Sequence, residues 1–121
     1  MALREELDKL VADHKKEIDR LTDRRAEDLG NSVNYLENEL QIQREEGFVG
    51  GLNEAICDLN GDALVNKLDK LIADNKKELD RLIDRRSDDL GNSINFAENE
   101  FQMIRTTGYI EGLEEALCQA K

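Results

Sequence analysis

The chain is an internal duplication. Sliding it by 61 positions lays Leu3–Asn60 over Leu64–Lys121, and 33 of the 58 pairs are identical. Whatever one copy folds into, the other must fold into as well, and the two must pack together. Many of the remaining differences exchange one apolar residue for another, among them Val11/Ile72, Ile18/Leu79, Val33/Ile94, Ile42/Met103, Val49/Ile110 and Ile56/Leu117. Leu36/Ala97 loses volume where Leu40/Phe101, one turn on, gains it, as close-packed interiors require. Two copies are too few for a solenoid. The expected organisation is one domain, residues 1–121, with internal repeats 3–60 and 64–121.

Each copy reads as a pair of helices. There is no proline, and Leu, Ala, Glu, Lys, Asp and Arg recur at helical spacing, which predicts an all-α chain. In the first arm Leu3, Leu7, Leu10, Val11, His14, Ile18, Leu21 and Arg25 fall on one stripe. Leu68, Leu71, Ile72, Leu79, Leu82 and Ile83 repeat it. The outer face is charged, with pairs such as Glu17–Arg20 within reach of each other. The stretch Asp28-Leu29-Gly30-Asn31-Ser32, copied as Asp89-Leu90-Gly91-Asn92-Ser93, can end one helix on its glycine and cap the next. The prediction is a helical hairpin, against one uninterrupted helix of more than about 50 residues. The junction Asp58-Leu59-Asn60-Gly61-Asp62 has the same kind of stop and start signals. Together these predict an antiparallel four-helix bundle made of two tandem hairpins.

The second arm carries two apolar sets. Val33, Leu36, Leu40, Gly47, Phe48, Gly51 and Ala55 form one, which is expected to face the first arm. Gly47, Gly51 and Ala55, like Gly108, Gly112 and Ala116, are four apart. Small residues in such a row let two helix backbones approach closely, and each glycine costs up to about 1 kcal/mol of helix propensity. The competing reading is a helix break at Gly47 and Gly50-Gly51. The other set lies on nearly the opposite side: Tyr35, Ile42, Val49 and Ile56, seven apart, with Leu52. Its copy is Phe96, Met103, Ile110 and Leu117. A helix apolar on two faces is buried on two faces. Either the second arms form the centre of the bundle, or this seam meets another molecule, such as a second copy of the chain.

A polar set follows the bend: Asn34, Glu37, Asn38, Glu39 and Gln41, recurring unchanged as Asn95, Glu98, Asn99, Glu100 and Gln102. Asparagine is a mediocre helix former, so two of them one turn apart need a reason. Hydrogen bonding around the hairpin end, solvation and a recognition patch are the three available. His14 stands in an apolar stripe, and its copy is Asn75, which suggests a polar layer shared by the two. Arg24-Arg25 and Arg85-Arg86 pair locally with neighbouring acids and suit a helix carboxyl end.

The chemistry-bearing motifs are sparse. A di-metal bundle site needs two Glu-x-x-His motifs, and the chain has one histidine. Cys57 and Cys118 are equivalent and unaccompanied by a CxxC or a nucleophile–base set. No P-loop, dinucleotide fingerprint or nucleophile elbow is present. The expectation is no enzyme, no catalytic or metal-ligating residues and no cofactor. A net charge of −11 argues against direct nucleic-acid binding and against an anionic membrane surface. The apolar runs are far short of a span, and the amino terminus lacks the apolar segment of a signal peptide, so a cytoplasmic protein is expected.

The segments Gly47-Phe48-Val49-Gly50-Gly51-Leu52-Asn53-Glu54-Ala55-Ile56 and Gly108-Tyr109-Ile110-Glu111-Gly112-Leu113-Glu114-Glu115-Ala116-Leu117 resemble the last helix of small helical-hairpin proteins encoded by bacteriophages. That resemblance implies a small accessory or inhibitor protein acting by binding. The double-hairpin plan also resembles the Rop-type bundle, without its basic RNA-binding face.

The expected function is therefore a non-catalytic protein-interaction module with a protein partner, self-associating as a homo-oligomer through the Tyr35/Ile42/Val49/Ile56 seam and its copy. One alternative is an acidic decoy: Val33–Leu59 carries six acidic residues against one arginine, and such a face can imitate a phosphate backbone. Another is a small-ligand or nucleotide-binding protein with a pocket between protomers.

Overall fold

The computed structural model describes the backbone of residues 2–27, 32–59, 64–88 and 93–120, and their side chains except at 25–27, 32–33, 86–88 and 93–96. Four helices account for nearly all of it: α1 (Leu3–Glu27), α2 (Ser32–Cys57), α3 (Leu64–Asp88) and α4 (Ser93–Ala120). No strand occurs among the described residues. The predicted bend residues Asp28-Leu29-Gly30-Asn31, their copies at 89–92, and the junction residues Asn60-Gly61-Asp62 lie outside the described residues. The hairpins themselves are established by what packs together.

In the first hairpin His14 of α1 meets Glu45 of α2, and Leu21 meets Asn38. In the second, Lys76 of α3 faces Glu114 of α4, and Leu82 meets Asn99. One index rises as the other falls, so α1 runs antiparallel to α2, and α3 to α4. The alternative of a single long helix per repeat is thereby set aside. The most extensive helix–helix contact is between α2 and α4. There Gly47 lies against Arg105 and Tyr109, Phe48 against Gly112, and Gly51 against Leu113. Both indices rise together, so the two second arms run side by side in the same direction, as a twofold axis along the bundle requires. The architecture is an all-α four-helix bundle of two antiparallel hairpins, with the second arms at its centre.

The glycines make that centre possible. A methyl group on Gly47 would overlap the carbonyl oxygen of Arg105 and stand 2.9 Å from the Tyr109 nitrogen. The same overlap arises between Gly51 and the Tyr109 carbonyl, Gly108 and the Arg44 carbonyl, and Gly112 and the Phe48 carbonyl. This corrects one expectation: the small-residue stripe faces α4, not the first arm. Leucine-rich α1 could not come so close to a backbone, whereas an identical glycine row can. Nor do these glycines break the helix, since α2 is continuous from Ser32 to Cys57.

The face left for α1 is the other apolar set. Val49 and Leu52 of α2 and Ile110 and Leu113 of α4 join Leu7, Val11, Leu68 and Ile72 in one core, closed by Ala55 and Ala116. The six largest fully buried side chains are three repeat-equivalent pairs, Leu7/Leu68, Leu21/Leu82 and Leu52/Leu113. Each stabilises the fold by about 1.5–3 kcal/mol relative to exposure.

Gly50 is a glycine of a different kind. A methyl group there would meet only the Tyr109 ring, at 3.4 and 3.7 Å, which is ordinary contact. Denaturation of the variants will separate the two kinds: Gly47→Ala and Gly108→Ala should each lose about 2 kcal/mol or more to backbone overlap, while Gly50→Ala should gain up to about 1 kcal/mol from helix propensity.

Candidate functional site

The seam is distributed unevenly between interior and surface. Ile42, Val49 and Ile110 are buried, Ile56 and Leu117 pack half-buried against the core, and Met103 is half-buried. Tyr35 is 36% exposed, and the Phe96 side chain lies outside the described residues. The middle of the seam is thus covered by the chain's own first arms.

The polar set is split in the same way. Asn38 and Asn99 are buried at 6% and 4% exposure. Each donates its amide to a carbonyl of the preceding arm, Asn38 to Leu21 and Asn99 to Leu82, the latter at 2.6 Å. A helix carbonyl has a second lone pair to offer, so a buried amide finds a partner without breaking a backbone bond. Asn34, Glu37, Asn38 and Gln41 line a small recess of about 60 Å³ together with Arg24. Glu39 is half-buried and stands apart from it, while Glu98 and Gln102 are exposed. Glu100 is half-buried, and the Asn95 side chain is outside the described residues.

His14 does not form a polar layer with Asn75. Its Nδ1 lies 2.5 Å from the Glu45 carboxylate, and its ring rests on Phe48 with centroids 4.2 Å apart. Asn75 instead donates to the carbonyl of Leu71 in its own helix, at 2.8 Å. The reason is connectivity: α1 packs on α2 and α3 on α4, so each residue looks toward its own second arm. The partner missed in the sequence is Glu45. It was signalled there, because where His14 becomes Asn75, Glu45 becomes Thr106.

Beside this cluster Arg44 of α2 makes two bonds across the centre to Glu111 of α4, at 2.7 and 2.6 Å. The pairing raises the Arg44 pKa, first through those bonds. The equivalent Arg105 reaches Glu46 through one longer bond of 3.3 Å. On this second side a cleft of about 370 Å³ opens between α2 and α3, lined by Glu46, Gly47, Gly50, Asn75, Arg105, Thr106 and Tyr109. Burial pushes the Tyr109 hydroxyl above its ordinary pKa, helped by the carboxylates of Glu54 and Asp58. On the outer faces Arg20 holds Glu17, and Arg81 holds Glu78, below the usual carboxylate range through direct hydrogen bonds. The Glu17–Arg20 pair expected from the sequence is therefore formed.

Cys57 and Cys118 are exposed and unbonded. Among the described residues no three His, Cys, Asp or Glu side chains are grouped to hold a metal ion, and no helix is long and apolar enough to cross a membrane. No family model, curated protein or solved structure matches the chain. The arrangement of its own residues is what carries a functional reading.

The His14–Glu45 pair has an internal control in Asn75 and Thr106. A double-mutant cycle with His14→Asn and Glu45→Thr, read by chemical denaturation, should return a favourable coupling of about 0.5–1 kcal/mol. The same exchange made in reverse in the second repeat should create a coupling where none exists.

Proposed function

We propose that the protein is a non-catalytic protein-interaction module that engages its partner through the bend-ward end of α2. The observation that carries this reading is Leu36, a helical leucine left 50% exposed next to Tyr35, beside the recess of Arg24, Asn34, Glu37 and Gln41. The large apolar side chains that stand exposed among the described residues are Tyr35, Leu36 and Ile83, all in the bend-ward halves of their helices. An aromatic and an aliphatic anchor flanked by arginine and amide groups is the composition of an interface centre with a polar rim. An accessory or inhibitor protein, the role implied by the likeness to phage hairpin proteins, would act in this way.

The acidic-decoy reading receives less support. Glu46, Glu111 and Glu114 are drawn into pairs with Arg105, Arg44 and Lys76. Charges neutralised within the chain project a weaker field than a phosphate row needs. Self-association through the seam would require the first arms to leave it, because Ile42 and Val49 lie in the interior.

A photo-crosslinking side chain at Leu36, compared with one at Asp13 on the outer face of α1, tests the proposal in the cells that make the protein. A discrete adduct from position 36 alone is expected, lost when Tyr35→Ala and Glu37→Lys are added. An adduct of twice the chain's mass would identify the partner as a second copy. Equal labelling from both positions, or none from position 36, would overturn the assignment.

A further inference from the structure

The cleft between α2 and α3 is one of two places that the duplication makes equivalent, and the other holds side chains of the chain itself. On the α1 side His14 lays its ring on Phe48, Glu45 meets the imidazole Nδ1, and Glu111 holds Arg44 by two bonds. On the α3 side each filling side chain is cut short. His14 is replaced by Asn75, Glu45 by Thr106, and Glu111 by Gly50. The receiving groups remain, with Tyr109 in place of Phe48 and Arg105 in place of Arg44. An aromatic face therefore lacks its ring, and a guanidinium lacks its bidentate carboxylate. Arg105 keeps a single 3.3 Å bond to Glu46, which leaves donors of its fork for another acceptor.

Gly50 supports this view of the cleft. The other described glycines of α2 and α4 are forced by backbone approach, but a side chain at Gly50 would meet only ordinary contact with Tyr109. Its absence serves the open space and not the helix crossing.

We propose that this cleft binds a small aromatic or heteroaromatic carboxylate, whose ring lies on Tyr109 and whose carboxylate bridges to Arg105. The site thus takes from solution what the α1 side supplies from its own chain. Its size suits a small ligand. Charge orients the ligand: Glu54 and Asp58 act on the hydroxyl end of Tyr109, so an anion is repelled there, and at the other end it shares the Arg105 guanidinium with Glu46. Asn75 and Thr106 line the wall as hydrogen-bonding groups. A planar ring on a tyrosine face with one charge-assisted anchor corresponds to a Kd on the order of 0.1–1 mM.

Amide chemical shifts of the full chain, followed by NMR during titration with imidazole-4-acetate and phenylacetate, test the proposal. Acetate serves as the charge without the ring, and imidazole as the ring without the charge. Saturable shifts are expected at Asn75, Arg105, Thr106 and Tyr109, absent at His14, Arg44 and Glu45. Acetate and imidazole should each bind about tenfold more weakly or less. Arg105→Gln, at an exposed position, should weaken binding about tenfold with the melting temperature unchanged. The triple variant Gly50→Glu, Asn75→His and Thr106→Glu rebuilds the filled arrangement and should abolish binding. Should that variant fail to fold, Arg105→Gln alone decides. Equal shifts in both halves, equal response to acetate, unchanged binding by Arg105→Gln, or no saturable shift by about 10 mM ligand would each overturn it.

Discussion

α2 and α4 meet backbone to backbone, where Gly47 and Gly51 of α2 lie on the carbonyls of α4 and Gly108 and Gly112 return the contact. The rest of the architecture follows from it. Two helices this close have no room for side chains between them, so their large residues must point sideways, toward α1 and α3. That leaves each first arm a single place to pack, against the outer apolar face of its own second arm. The first arms are amphipathic on one stripe because they are covered on one side only. The second arms have apolar residues spread over two faces because both are used.

Much of this was readable in the residues. The duplication, the helix count, the hairpin plan and the two-faced second arm came from repeats and periodicity. The assignment of faces to neighbours did not. Gly47/Gly51/Ala55 and Ile42/Val49/Ile56 are both credible partners for a leucine stripe, and periodicity carries no information about which neighbour each one meets. Backbone approach decides it, and that is a property of two helices together. The residues also carry a finer clue. Tyr35, Asn38, Ile42, Glu45, Val49, Leu52 and Ile56 alternate in steps of three and four, so Asn38 and Glu45 are members of the seam and not of a separate polar surface. Opposite them Leu7, Val11, His14, Ile18 and Leu21 follow the same rhythm, which places His14 across from Glu45.

Two polar residues inside an apolar seam tend to act on register more than on stability. Asn38 and Asn99 each reach one particular carbonyl, and a shift that takes the amide off it without bringing another within reach would leave a buried group unpaired at a cost of about 1–3 kcal/mol. Leucine stripes alone tolerate such slips. The asparagines are identical in the two repeats and so are their acceptors, Leu21 and Leu82, whereas the His14–Glu45 pair exists in one repeat only. Register is thus specified twice, and the filling of the neighbouring space once.

The covalent path from α2 to α3 has a further consequence. Two separate hairpins would have to meet by diffusion, and their assembly would depend on concentration. Joined in one chain, they meet at a high local concentration and can fold as a unit when dilute. A homodimer must also accept every substitution in both halves at once. The fused chain escapes that constraint, so its glycine crossing can stay matched while residues a few ångströms away evolve independently on the two sides.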